Sequence, residues 1–64
     1  MFKLYGVPAA VKKIGINGSW AVCEYKDGKF WFVTSAKNQK MAAEFCVISP
    51  DYRAIELDDN VELV

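Results

Sequence analysis

The segment from Ser19 to Thr34 constrains the fold more than any other part of the sequence. It holds two runs rich in aromatic and β-branched residues, which favour a pleated strand, joined by Asp27-Gly28. Aspartate and glycine tolerate the positive φ angles that a two-residue type I′ turn requires at both central positions. The sequence therefore predicts a β-hairpin with strands at about 19–26 and 29–34.

The same turn predicts which residues face each other and which side of the sheet they occupy. Lys26 is expected opposite Lys29, and the pairing continues to Val22 opposite Val33, whereas a longer, bulged loop would shift this register by one. Because side chains alternate along a strand, two faces follow. The first face, which we expect to form the core, carries Ala21, Cys23, Tyr25, Phe30, Phe32 and Thr34. The second face carries Trp20, Val22, Glu24, Lys26, Lys29, Trp31 and Val33.

The segment before the hairpin allows two interpretations. Residues 11–16 can form a strand that leads through Asn17-Gly18, a second two-residue turn, into the hairpin. Alternatively, Pro8 can open a helix that runs to Ile14 and stops at Gly15. We prefer the strand because Asn-Gly is the stronger local signal, and the prediction is a three-strand meander.

One helix is predicted after the hairpin. The residues from Ala36 to Phe45 are mostly good helix formers, and the hydroxyl of Thr34 or Ser35 can cap the first turn. Apolar residues recur at spacings of three and four, which indicates an amphipathic helix packed on the first face. The members of this stripe are Met41, Ala42 and Phe45, and the spacing can extend it to Ile48.

Three further segments alternate apolar and polar residues as strands do. Phe2–Tyr5 is predicted to be a short edge strand that stops at Gly6. Pro50 ends the helical region, after which Tyr52–Leu57 and Val61–Val64 are predicted as C-terminal strands.

These elements predict one α+β domain that spans residues 1–64. Its sheet is expected to be small and predominantly antiparallel, with the three-strand meander plus one or two C-terminal strands packed against one helix. A chain of 64 residues buries only about 60% of the surface that its unfolded form exposes. A homodimer would add buried surface and is left open as an assembly.

The residue types present argue against catalysis and against a resident metal or cofactor. The sequence contains no histidine, and neither its serines nor its cysteines have an obvious neighbouring base. Cys23 and Cys46 are the only cysteines and form no metal-binding or redox motif. We predict a non-enzymatic protein without cofactor or metal, with reduced thiols, although a disulfide between the two cysteines is left open.

The same sequence predicts a cytoplasmic protein that does not enter a membrane. Lysines interrupt the first apolar stretch, so no signal-like segment is recognised. No uncharged run approaches the roughly 20 residues that span a bilayer.

Charge is balanced in total but segregated along the chain. The formal net charge is zero, yet residues 1–40 hold seven lysines against two acids, and residues 41–64 hold one arginine against six acids. If the acidic segment lies beside the basic one in space, the two neutralise each other. If they are separate, the basic part could bind nucleic acid, and this alternative uses Lys12, Lys13, Lys26, Lys29, Lys37 and Lys40.

The tryptophans of the second face are the leading candidate site residues. Aromatic side chains interleaved with charges are typical of protein-binding hot spots. The predicted partner-binding set is Trp20, Trp31, Lys26, Lys29 and Glu24. The competing interpretation is that both tryptophans belong to the core.

A chain of this size without catalytic residues is predicted to act by binding another protein. By its size it is similar to the regulators and inhibitors that phages and mobile elements encode. Nucleic-acid binding through the lysines is the alternative function.

Overall fold

The computed structural model describes residues 2–14 and 19–64. In chain order the described elements are β1 (Phe2–Tyr5), α1 (Ala9–Ile14), β2 (Trp20–Lys26), β3 (Lys29–Ala36), α2 (Gln39–Phe45), β4 (Tyr52–Glu56) and β5 (Val61–Leu63). The turn predicted at Asn17-Gly18 lies outside the described residues.

The described strands form one mixed sheet in the order β4-β2-β3-β1-β5. Strand β2 pairs antiparallel with β3 and β4, whereas β1 pairs parallel with β3 and β5. The α+β class is therefore confirmed, and the predominantly antiparallel sheet is wrong. Strand β1 lies inside the sheet rather than at its edge, and its Leu4 is fully buried between two neighbouring strands.

Residues Ala9–Ile14 form a helix, so the predicted three-strand meander is wrong. The structure has the two-strand hairpin of β2 and β3 in its place. The Pro8 carbonyl accepts hydrogen bonds of 3.1 Å from the amides of both Val11 and Lys12. Proline needs no amide partner at a helix start, so it stabilises this position. The local preference of Pro8 thus prevailed over the expected strand, and a second helix joins the fold.

The hairpin is confirmed, and its turn has the predicted backbone. Asp27 and Gly28 have φ angles of +56° and +75°. The register is as predicted from the Lys26–Lys29 pair to Cys23 opposite Phe32.

Beyond that pair a β-bulge changes the register. Val22 pairs with Thr34 rather than with Val33, so Val33 is the additional residue. Thr34 consequently lies on the second face and not on the first. The later pairing of Trp20 with Ala36 places Ala36 on the second face as well.

Hydrophobic residues pack on both faces of the sheet. On the first face, the buried cluster includes Val7 and Leu57, which lie outside the strands, and Val11 of α1 packs against it. The buried members of this first cluster are Leu4, Val7, Ala21, Cys23 and Leu57. On the second face, the buried cluster is Val22, Ala36 and Ala42.

Helix α2 covers the second face, so the prediction that it packs on the first face is wrong. Ala42 is its buried residue, and Cys46 just after the helix packs beside it. Met41, Phe45 and Ile48, predicted to face the core, are exposed. The cause is the bulge, since it places Ala36 on the second face immediately before the chain enters α2.

The N-cap of α2 also differs from the prediction. Thr34 and Ser35 belong to β3, which continues to Ala36. Asn38 has the extended backbone of a capping residue, and its Oδ1 accepts a 2.9 Å hydrogen bond from the Met41 amide.

Replacement of this cap gives a direct test of where α2 begins. We expect Asn38→Ala to lower the free energy of unfolding by about 1 kcal/mol, because one amide of the first turn loses its acceptor. Urea denaturation followed by circular dichroism measures the change. The control Ser35→Ala, at an exposed strand position, is expected to stay within about 0.5 kcal/mol of wild type. A larger loss in the Ser35 variant than in the Asn38 variant would contradict the assignment.

Candidate functional site

Strands β1 and β3 bring two aromatic rings together on the second face. Tyr5 pairs in register with Trp31, and their ring centroids lie 5.6 Å apart with an interplanar angle of 46°. The Nζ atom of Lys29 lies 5.0 Å from the centroid of the Tyr5 ring, which is within cation–π range. We call Tyr5, Trp31 and Lys29 the aromatic platform.

Two backbone contacts fix the orientation of the indole. Its Nε1 donates a 3.1 Å hydrogen bond to the carbonyl of Lys26. The backbone of Gly6, with a φ of +71°, lies close to the six-membered ring of the indole. A Cβ atom at Gly6 would lie 3.5 Å from Cε3 of Trp31. Because the polar group of the indole is satisfied inside the protein, the ring can offer its apolar surface to a partner.

The aromatic platform lies outside both hydrophobic clusters. Trp31 remains 37% exposed although it is held by neighbours. Trp20, in contrast, is half-buried and packs against the cluster beneath α2. The two tryptophans that the sequence placed on one face therefore differ, since α2 covers one and leaves the other accessible.

The other predicted partner-binding residues lie near Trp31. Glu24 is half-buried and pairs in register with Trp31 on one side and Tyr52 on the other. Lys26 and Lys29 are exposed and directly opposite each other at the hairpin end. Like charges in such a pair repel, so an acidic partner would relieve a cost that the free protein carries.

Tyr5 is the site residue that sequence reasoning missed. The alternation of the first strand could place Tyr5 on the side opposite to Leu4. It could not show that β1 pairs in parallel with β3, and this pairing is what puts the ring beside Trp31.

The lysines of the nucleic-acid alternative are distributed over three parts of the structure. Lys12 and Lys13 belong to α1, which packs on the first face through Val11. The hairpin end carries Lys26 and Lys29, and the residues at the start of α2 include Lys37 and Lys40.

Acidic residues of the C-terminal segment approach basic residues of the N-terminal one. Strand β5 lies directly beside β1, and Lys3 pairs in register with Glu62. The separation of charge along the sequence is thus reduced in space at this position.

The two cysteines lie on opposite sides of the sheet and are both free. Cys23 is fully buried in the first cluster, and its Sγ donates a 3.4 Å hydrogen bond to the Arg53 carbonyl. Burial, with a smaller effect of Cys46, raises the pKa of Cys23 from 9.0 to about 11. A disulfide between the cysteines would require one of them to cross the sheet.

No group of three or more histidine, cysteine, aspartate or glutamate residues with metal-binding geometry occurs within residues 2–14 and 19–64. In the same part of the chain, no helix has the length and apolar character needed to cross a membrane.

The cysteines are expected to differ in reactivity. At a pH near 8, a chromogenic disulfide reagent should label half-buried Cys46 in the native protein and leave Cys23 unreacted, because Cys23 is inaccessible and its thiolate is scarce. Denaturant should then release the second thiol. Rapid labelling of a native Cys46→Ser variant would contradict the buried position of Cys23.

In comparisons with known proteins, no family model, curated protein or solved structure matches the chain.

Proposed function

We propose that this chain is a small, non-enzymatic binding protein that acts through protein–protein interaction at the aromatic platform. The observation that supports the proposal best is the exposed indole of Trp31, which is oriented by Tyr5, by Gly6 and by its hydrogen bond to Lys26. Tryptophan is enriched at binding hot spots. A side chain that is already ordered loses little conformational entropy when a partner binds.

The charges around Trp31 indicate what the partner presents there. Lys26 and Lys29 form an exposed basic pair beside the indole. The partner we propose therefore combines an apolar group, which packs on the indole, with carboxylates that approach the two ammonium groups.

Within this proposal the protein is a cytoplasmic regulator or inhibitor of its partner, of the kind encoded by phages and mobile elements. The free thiols of Cys23 and Cys46 fit a reducing compartment. A regulator that acts by binding needs an exposed surface but no catalytic group. The sequence contains no histidine, the usual side chain for proton transfer near neutral pH.

Photo-crosslinking from adjacent positions can test the site. A photoreactive residue in place of Lys26 lies on the second face beside Trp31, whereas one in place of Tyr25 lies on the first face, and both positions are exposed. In nuclease-treated lysate of the native cells, we expect a specific protein adduct from position 26 and none from position 25. Mass spectrometry identifies the adduct.

A second variant connects that adduct to the indole. Trp31→Ala should lower the yield of the position-26 adduct by about tenfold, the effect of losing a hot-spot side chain worth roughly 1.4 kcal/mol. Urea denaturation must show that the variant is folded at the assay temperature. Equal adducts from both positions would refute the site, and a complex that nuclease destroys would favour the nucleic-acid alternative.

We also propose that the chain forms a homodimer through a second exposed surface at α2. Met41 and Phe45 point away from the buried cluster, and Val47 and Ile48 in the following turn are 85% and 69% exposed. These four apolar side chains are exposed within residues 41–48 of a domain whose own core is small.

Analytical ultracentrifugation can test the homodimer. We expect the wild-type chain to shift from monomer to dimer between micromolar and millimolar concentration. Ile48→Lys should move this transition to at least tenfold higher concentration, because a charge would enter the apolar contact. The control Tyr25→Lys, on the opposite sheet face, should behave as wild type. A wild-type chain that remains monomeric at millimolar concentration would exclude this assembly.

A further inference from the structure

Strand β5 leaves part of its backbone available at the edge of the sheet. The Phe2 amide donates to the Asn60 carbonyl at 2.9 Å, and the Val64 amide donates to the Leu4 carbonyl at 2.8 Å. In a parallel pair, the backbone N–H and C=O groups of alternate residues point toward the neighbouring strand. The backbone groups of Val61 and Leu63 therefore point away from β1.

Among these outward groups, only the Val61 amide is used, in a 3.1 Å hydrogen bond to the Asp58 carbonyl. The Val61 carbonyl and both backbone groups of Leu63 accept or donate no hydrogen bond within the described residues. They are consecutive along the edge, in the arrangement that an added strand requires.

The opposite edge, strand β4, also has three outward backbone groups without a hydrogen bond within the described residues, but both ends of this run are occupied. The three groups are the amide and carbonyl of Ala54 and the amide of Glu56. At one end of β4, the Tyr52 amide donates to the Ser49 carbonyl at 3.2 Å, and Arg53 Nη1 donates to the Tyr52 carbonyl at 2.8 Å. At the other end, the Asp58 amide donates to the Glu56 carbonyl at 3.1 Å. A strand that runs along the whole of β4 would have to displace hydrogen bonds at both ends, whereas on β5 only the Val61 amide is occupied, so β5 is the more accessible edge.

The side chains of β5 indicate what an added strand would carry. Val61 and Leu63 are half-buried against the first cluster, so a neighbour on that face gains from apolar residues. Glu62 is exposed on the opposite face beside Lys3 of β1, and the turn before β5 adds Asp58 and Asp59, so acidic residues outnumber the one lysine there. Lysine or arginine in the alternate positions would complement these carboxylates.

We propose that the β5 edge binds an extended segment of a partner protein in which apolar residues alternate with lysine or arginine. The segment extends the sheet through the backbone groups of Val61 and Leu63. A second copy of this chain is a poor occupant, because β5 paired antiparallel with itself in full overlap sets Glu62 against Glu62 of the other copy. This site is distinct from the aromatic platform and does not depend on it.

An NMR titration of the isotope-labelled chain tests the proposal with a synthetic eight-residue peptide that alternates valine and lysine. We expect saturable shifts centred on the amides of Val61 to Val64, together with slower hydrogen exchange of the Leu63 amide. A peptide in which glutamate replaces every lysine should bind at least tenfold more weakly. Shifts centred on Trp31 and Lys29, or no saturable shift at millimolar peptide, would overturn the proposal.

Two matched comparisons separate strand addition from simple charge attraction. Glu62→Lys should weaken peptide binding about tenfold, whereas Glu56→Lys, an exposed acid on β4, should leave it unchanged. Peptides N-methylated on all valine amides or on all lysine amides should differ in affinity at least tenfold, because only alternate amides face the edge. Equal weakening by the two variants, or equal affinity of the two methylated peptides, would show adsorption and overturn the proposal.

Discussion

The β-bulge between β2 and β3 determines how the two sides of the sheet are used. By adding Val33 between paired positions, it moves the last residues of β3 to the other side, so that Ala36 lies on the same face as Val22. The chain therefore enters α2 on the side of that face, and Ala42 of α2 packs with Val22 and Ala36 in the second cluster. Because α2 spans only Gln39–Phe45, it covers one part of the face and leaves Trp31 outside.

Small side chains form the buried interior, and this explains why so much aromatic surface is available. The largest fully buried side chains are Leu4, Leu57, Val22 and Cys23, and none of the nine aromatic residues is buried. Several aromatic rings instead pack in pairs near the surface, such as Phe2 with Phe30 and Phe30 with Tyr25. Such pairs stabilise the sheet and leave part of each ring for contact with another molecule.

Sequence reasoning succeeded where local chemistry decides the structure. The Asp27-Gly28 turn fixed the hairpin register as far as Cys23, and from there it gave the correct faces for Phe30, Phe32 and Trp31. A bulge has no comparable local signal, so Thr34 and the face that α2 covers were wrong. Parallel pairing of β1 is also non-local, and Tyr5 was therefore missed as a neighbour of Trp31.

Strand β1 connects the two surfaces proposed for binding. Tyr5 contributes to the aromatic platform on the β3 side, while the Phe2 amide and the Leu4 carbonyl hold β5 on the other side. Since Leu4 is fully buried between them, a change in β1 would disturb both surfaces through the fold itself. Lys26 at the hairpin end and Glu62 at the sheet edge lie on different strands, each next to only one surface. Loss of binding after a change at one of these two positions can therefore be assigned to its own surface.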